Sequence, residues 1–188
     1  MRTMPSGCIA VLIAVAGFLF AGALDQQTRD ALNVSHILKQ ISQAPPAADG
    51  ALRSVTISEQ ELDAYIAWRL AREPDSGVRS LDLHLLDNDH IAGTIRFDAA
   101  RLNLDALLGD SLDFDFKGVL FSRGRAARLE LISLSLCGYP VKPQVLDYVL
   151  EAAARHQGTE SGGLDDWYAL PAGVQRITVT TGAAVLYY

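Results

Sequence analysis

The chain of 188 residues is poor in cysteine, with two, and carries no surplus of positive charge, with 16 Lys and Arg against 22 Asp and Glu. Two cysteines exclude a disulfide-built scaffold, and a formal charge of −6 argues against electrostatic capture of nucleic acid. Glycine (15) and proline (7) are too few for a collagen-like chain, and a coiled-coil composition is likewise lacking. HExxH, GxSxG, phosphate-loop and dinucleotide-binding signatures are missing, so the chain reads as non-enzymatic, without a cofactor or resident metal. What is there is apolar. Hydrophobic residues make up 49% of the chain, enough for a packed core, and the length suits one domain with an added segment.

That segment is the run from Gly7 to Leu24, 18 consecutive uncharged residues between Arg2 and Asp25. As a helix it is about 27 Å long, against a hydrocarbon thickness of ~30 Å. It reads either as a signal anchor or, with the small-x-small triplet Ala21-Gly22-Ala23, as a cleavable signal peptide. Both readings place the rest outside the cytoplasm, held on the inner membrane facing the periplasm or an equivalent space, or secreted after cleavage. Residues 1–24 form this address. Residues 25–52 form a stalk and linker, in which Val34, Ile37, Leu38 and Ile41 make an amphipathic helix that either lies on the membrane or packs on the domain. Asn33-Val34-Ser35 matches a glycosylation sequon, and the Pro45-Pro46 stretch reads as a linker.

The domain spans 53–188. Val55-Thr56-Ile57 is a short strand or an extended entry, and Ser58 with Glu61 forms a capping box that starts a helix stopping at Glu73-Pro74. Period-two alternation follows: Leu81, Leu83 and Leu85 turn at Asp87-Asn88-Asp89 into Ile91, Gly93, Ile95 and Phe97, predicting a hairpin. Leu112, Phe114 and Phe116 turn at Ser122 to Arg125 into a strand with a break in parity. There Leu129 and Leu131 alternate out of step with Ile132, Leu134 and Leu136, which means a bulge or two covered faces. A second helix starts at Pro143 with Val145, Leu146, Val149, Leu150 and Ala153 on one face, and a hairpin through Thr181-Gly182 closes the chain. The expected class is α+β: a curved antiparallel sheet of about six strands against two amphipathic helices, behind an N-terminal membrane or signal helix.

Three groups of side chains stand out. Tyr65, Ile66, Phe114, Phe116, Leu134, Leu136, Leu146, Val149 and Leu150 should converge between sheet and helices, either filling a core or lining a groove for an acyl chain. Arg123, Arg125 and Arg128 form a basic hairpin tip suited to phosphate headgroups or to a solvated turn. Asp82, His84, Asp87, Asp89 and His90 form the densest carboxylate and imidazole group; a solvated hairpin end is the plain reading, a hydrolytic metal centre on Asp82, His84 and Asp89 the sharper one. Cys137, near no basic partner in sequence, reads as a buried or half-buried thiol. The charge is unevenly spread. Residues 81–115 hold eight acidic and two basic side chains, whereas 116–188 hold six acidic and seven basic, making the Arg-bearing end the one expected to face a membrane.

The helix SEQELDAYIAW (Ser58 to Trp68), the helix KPQVLDYVLEAAARHQG and the closing LPAGVQRITVTTGAAVLYY resemble small bacterial exported domains of the YpmS-like and LmeA-like kind, similar to the tubular lipid-binding class. The resemblance implies a curved sheet wrapping a long helix and holding lipid. The expected function is then a membrane-tethered or exported lipid-binding, envelope-maintenance domain. The alternative is an envelope scaffold or protein-interaction module with a filled core.

Overall fold

The structure is a computed structural model that describes residues 26–45, 51–102, 109–157 and 162–188. The run Gly7 to Leu24 lies outside the described residues, and among these no helix is long and apolar enough to cross a membrane.

The first described element is α1, over 26–43. Its apolar stripe meets protein: Ala31, Val34 and Ile41 are buried, and Val34 and Ile41 pack with Ile57, Val174 and Leu186. The helix therefore packs on the domain, one of the two places expected for it. Strand β1 (Ser54–Ser58) leads into α2 (Glu59–Leu70) through the capping box. Ser58 Oγ accepts from Glu61 N at 3.3 Å, and Glu61 Oε2 accepts from Ser58 N at 3.0 Å. The helix ends before Glu73-Pro74 because its last turn tightens, with Arg72 N and Glu73 N donating to the carbonyls three residues back.

After a 3₁₀ turn (Pro74–Ser76), the strands β2 (Val78–Leu85), β3 (His90–Asp98), β4 (Ser111–Arg123) and β5 (Ala126–Leu136) form a meander. Two-residue strands β6 (Tyr139–Pro140) and β7 (Tyr168–Ala169) both pair with β5, completing a six-stranded antiparallel sheet. Between β6 and β7 runs α3 (Pro143–Gln157). The chain closes with β8 (Arg176–Thr180) and β9 (Ala183–Tyr187). These do not extend the large sheet. With β1 they form a second antiparallel sheet, ordered β1-β9-β8; the class is α+β as expected, and among the described residues it is built from a six-stranded sheet, a three-stranded sheet and three α-helices, where one sheet and two helices were expected for the domain.

The parity break in β5 is a bulge. Lys117 pairs with Ser133 but Gly118 pairs with Leu131, leaving Ile132 as the extra residue, 62% exposed. Leu129, Leu131, Leu134 and Leu136 then share one face, because the bulge absorbs the odd residue. Gly118 is required there: a Cβ would lie 2.6 Å from the Glu130 carbonyl oxygen.

Helix α2 flanks the outer edge of β2. Asp63 Oδ1 accepts from Leu83 N at 3.2 Å and Glu59 Oε2 from Leu85 N at 2.6 Å. The spacings match, since four residues of helix rise about 6 Å and two residues of strand about 6.6 Å. Two carboxylates one helical turn apart thus occupy edge amides that would otherwise invite another strand.

Candidate functional site

The interior residues fall into two places. Phe97, Leu112, Phe114, Leu134, Leu146, Val149 and Ala153 are buried together where α3 crosses the inner face of the large sheet, and Phe116, Leu136 and Leu150 pack against them. Phe97 and Phe114 meet edge to face at 5.9 Å and 88°. Seven of the nine expected interior residues are thus brought together. Tyr65 is not: it packs with Val34, Ile41 and Leu186 in the core under α1, while Ile66 is half-buried and belongs to none of the packed clusters. The reason is the seating of α2 along the edge of β2, which turns Tyr65 toward α1 and away from α3. Trp68 is half-buried, stacked on Tyr65 and covered by the Arg72 guanidinium 3.6 Å from its ring centre.

Clefts on the described surface open elsewhere. One of about 270 Å³ lies at the C-terminal end of α1, lined by Ile41, Pro45, Arg53, Arg125, Gly173 and Tyr188 among others. Others lie along the first half of α1, where Gln27 and Thr28 face Trp68 and Ala71, and Gln27 faces Arg79 to Asp82.

The acidic turn between β2 and β3 joins the two sheets. Asp89 Oδ1 accepts from Val179 N at 2.6 Å and Asp87 Oδ1 from Thr181 N at 3.1 Å. The Asp89 backbone adds bonds in both directions, its N–H donating to Val179 O at 3.2 Å and its carbonyl accepting from Leu120 N at 2.8 Å. This corrects the expectation of a freely solvated hairpin end. It also disperses the sharper metal grouping: His84, on β2, has its Nδ1 3.3 Å from Glu59 Oε1 of α2, and no group of three ligands suited to a metal occurs among the described residues. Alternation in the sequence placed these carboxylates in a turn but carried no signal that a second sheet would supply amides for them.

Electrostatic shifts follow the same structural roles. Hydrogen bonds from Ser58 hold the Glu61 carboxyl below its usual range. Burial raises Asp63, offset in part by the Leu83 amide. Asp98, receiving the Arg101 amide and facing Arg79, is held low.

The basic tip stands at the turn between β4 and β5, where Gly124 and Arg125 both take positive φ, 56° and 67°. Arg123 and Arg125 are exposed, and among the described residues neither is ion-paired. Arg128 is held differently: its guanidinium lies 5.4 Å from the Trp167 ring centre and 6.0 Å from that of Phe121, with Nη2 at 3.2 Å from Glu130. Phe121 and Trp167 remain 43% and 45% exposed. Cys137 is exposed, contrary to expectation, because it occupies the first position of the two-residue turn from β5 to β6, at φ 49°.

Comparison with family models, with curated proteins and with solved structures finds no match to this chain.

Proposed function

We propose that the chain is a membrane-tethered or exported, non-catalytic interaction module that works through its surface, with an interior that serves as a core. The packing between α3 and the large sheet carries this reading: Phe97, Leu112, Phe114 and Val149 are sealed from solvent at the position where a lipid carrier would need an open channel. Of the carboxylates that drew attention in the sequence, Asp87 and Asp89 are engaged by backbone amides, as are Glu59 and Asp63 on α2, which supports a structural assignment for these four. The tether itself rests on the uncharged run Gly7 to Leu24. Native mass spectrometry of the full chain released from detergent, with a fatty acid offered in excess, tests the reading. The expected spectrum is the bare chain mass. A stoichiometric bound lipid, lost on Val149→Trp, overturns it in favour of a carrier.

A further inference from the structure

We propose that the outer edge of β5, between β6 and β7, is a site of strand addition, where a short extended polypeptide segment of a partner protein inserts as the middle of the sheet's last strand. The proposal rests on the interaction-module reading and names the surface and the partner's chemistry.

The course of the chain makes the edge. β6 and β7 both run antiparallel to β5, one against Ser135 and Leu136 and the other against Ala126 and Ala127, so they are the two ends of one broken strand. Between them the chain leaves the sheet to make α3. Val141 N donates to Leu134 O at 3.1 Å on one side of the break, and Tyr168 pairs with Ala127 on the other. Over 128–133, six residues or about 20 Å, no strand pairs with β5 on this side among the described residues. The Gly124-Arg125 turn is closed by the pair Arg123 and Ala126, so Arg128 and Glu130 direct their backbone groups to β4, and Leu129 directs its N–H and C=O outward. The bulge lies at one end of the gap, and 128–131 keep regular register with β4. Two other edges are closed by side chains: Glu59 and Asp63 occupy amides of β2, while Ser122 Oγ and Asp89 occupy those of Ile177 and Val179 on β8.

The occupant follows from the groups on offer. An outward N–H and C=O on one residue call for an acceptor and a donor at strand spacing, which a polypeptide backbone supplies and a phosphate or lipid surface does not. A second copy presenting its own β5 does not fit, since that strand is 11 residues long and is itself flanked by β6 and β7. The gap takes a segment that enters and leaves within about six residues. Side chains set its pattern. Tyr139, opposite Leu136, and Tyr168, opposite Ala127, stand on the core-side face at the two ends of the gap and are 76% and 49% exposed, with Leu129 and Leu131 between them on that face. On the other face Arg128 and Glu130 are paired with each other, which leaves no net charge to repel a strand. Ile132, exposed at the bulge, is apolar, where edges blunted by a side chain carry Lys or Pro. The fitting segment is therefore extended, uncharged and alternating, with β-branched or aromatic side chains directed to the Tyr139 and Tyr168 side.

The test uses the full chain in detergent and a fluorescent peptide of three Val-Thr repeats, followed by anisotropy. Opposed residues on antiparallel strands share a face, so the valine that faces the core side opposite Leu129 is also the residue that exchanges hydrogen bonds with it. Binding is expected for the parent peptide and for one N-methylated on its threonines, and weakened by about tenfold or more when the valines are N-methylated instead. Leu129→Pro removes the outward donor without touching a bond to β4 and should weaken binding to the same extent, whereas Arg155→Glu on α3 leaves it alone. Circular dichroism checks the fold of each variant, and the methylated pair of peptides decides the matter if the proline variant does not fold. Failure of the parent peptide to bind, equal binding of the two methylated peptides, or a dimer by light scattering that Leu129→Pro dissolves each overturns the proposal. A lipid found inside the chain by mass spectrometry would strike the filled-core reading alone, so the two failures are separable.

Discussion

Asp89 is the most informative single residue for the architecture, because its side chain and backbone N–H bond Val179 in the small sheet while its carbonyl bonds Leu120 in the large one. Replacing it by Ala removes a charged acceptor from the amide of Val179, a residue only 3% exposed. A hydrogen bond to a charged group is worth about 1.5–3 kcal/mol, more when the remaining partner stays buried and unpaired. Asp89 also has φ 60°, a left-handed conformation that Asn and Asp tolerate and Ala resists at a cost of about 1 kcal/mol. Asp89→Ala should therefore lose about 3 kcal/mol, which for a chain of this size lowers the melting midpoint by about 6–12 °C. Asp89→Asn keeps the backbone tolerance and an acceptor, and should lose about 1 kcal/mol. Urea unfolding of the solubilised full chain, followed by circular dichroism, measures both. An Ala variant within about 0.5 kcal/mol of the parent, or Ala and Asn variants of equal stability, refutes the assignment of the second sheet's anchorage to this carboxylate.

Three further outcomes are expected. Ser58→Ala should cost about 1 kcal/mol by removing the cap. Because Glu61 is held below its ordinary value of 4.5, its contribution is present above that pH and lost as pH falls through the lowered value, so the acid limb of a stability-versus-pH curve should flatten in this variant. Asp63 is shifted the other way, and its charged form is disfavoured in the folded state; the stability this gives is present below pH 3.8 and lost as pH rises through the raised value. Asp63→Asn keeps the acceptor for Leu83 N and should be no less stable than the parent at pH 7, an advantage that urea midpoints at pH 3.5 should show to be gone. Phe114→Ala, in the sealed core beside Phe97, should lose about 3–5 kcal/mol, the largest change of the set in calorimetric unfolding.

The hairpins were legible because alternation and turn residues act locally: Asp87 to Asp89, Gly124-Arg125 and Thr181-Gly182 all close turns between the expected strands. The break in parity at Leu131 was legible as a bulge or as a strand covered on both faces, since side-chain direction counts residues one at a time, and the pairing makes it the bulge. Partner choice is non-local and was not legible. Nothing in the alternation of Ile177 and Val179 distinguishes a strand that joins β5 from one that joins β9, and β1, readable from Val-Thr-Ile as a short strand or an extended entry, carried no sign of which strand it would pair with. The same limit explains the candidate interior. Phe114, Leu134, Leu146 and Val149 meet because each lies on the expected face of its own element, whereas Tyr65 went to another core through the seating of α2, which two carboxylates on its opposite side decide. The basic tip was readable in composition; that Arg125 would share a cleft with Ile41 at the end of α1 was not.

The pairing of β1 with β9, register Ser54 with Tyr187, also sets a timetable for assembly. A chain made from its N-terminus presents α1 and β1 early, but their neighbours β8 and β9 arrive last, so the first-made elements wait while the β2–β5 meander, whose contacts are short in sequence, is free to form. During that interval Val34, Ile41 and Ile57 are bare. Premature release, or loss of residues 183–187, should therefore leave the meander and its α3 core standing with a sticky, unclosed N-terminal part, and it is there that a holding chaperone would be needed.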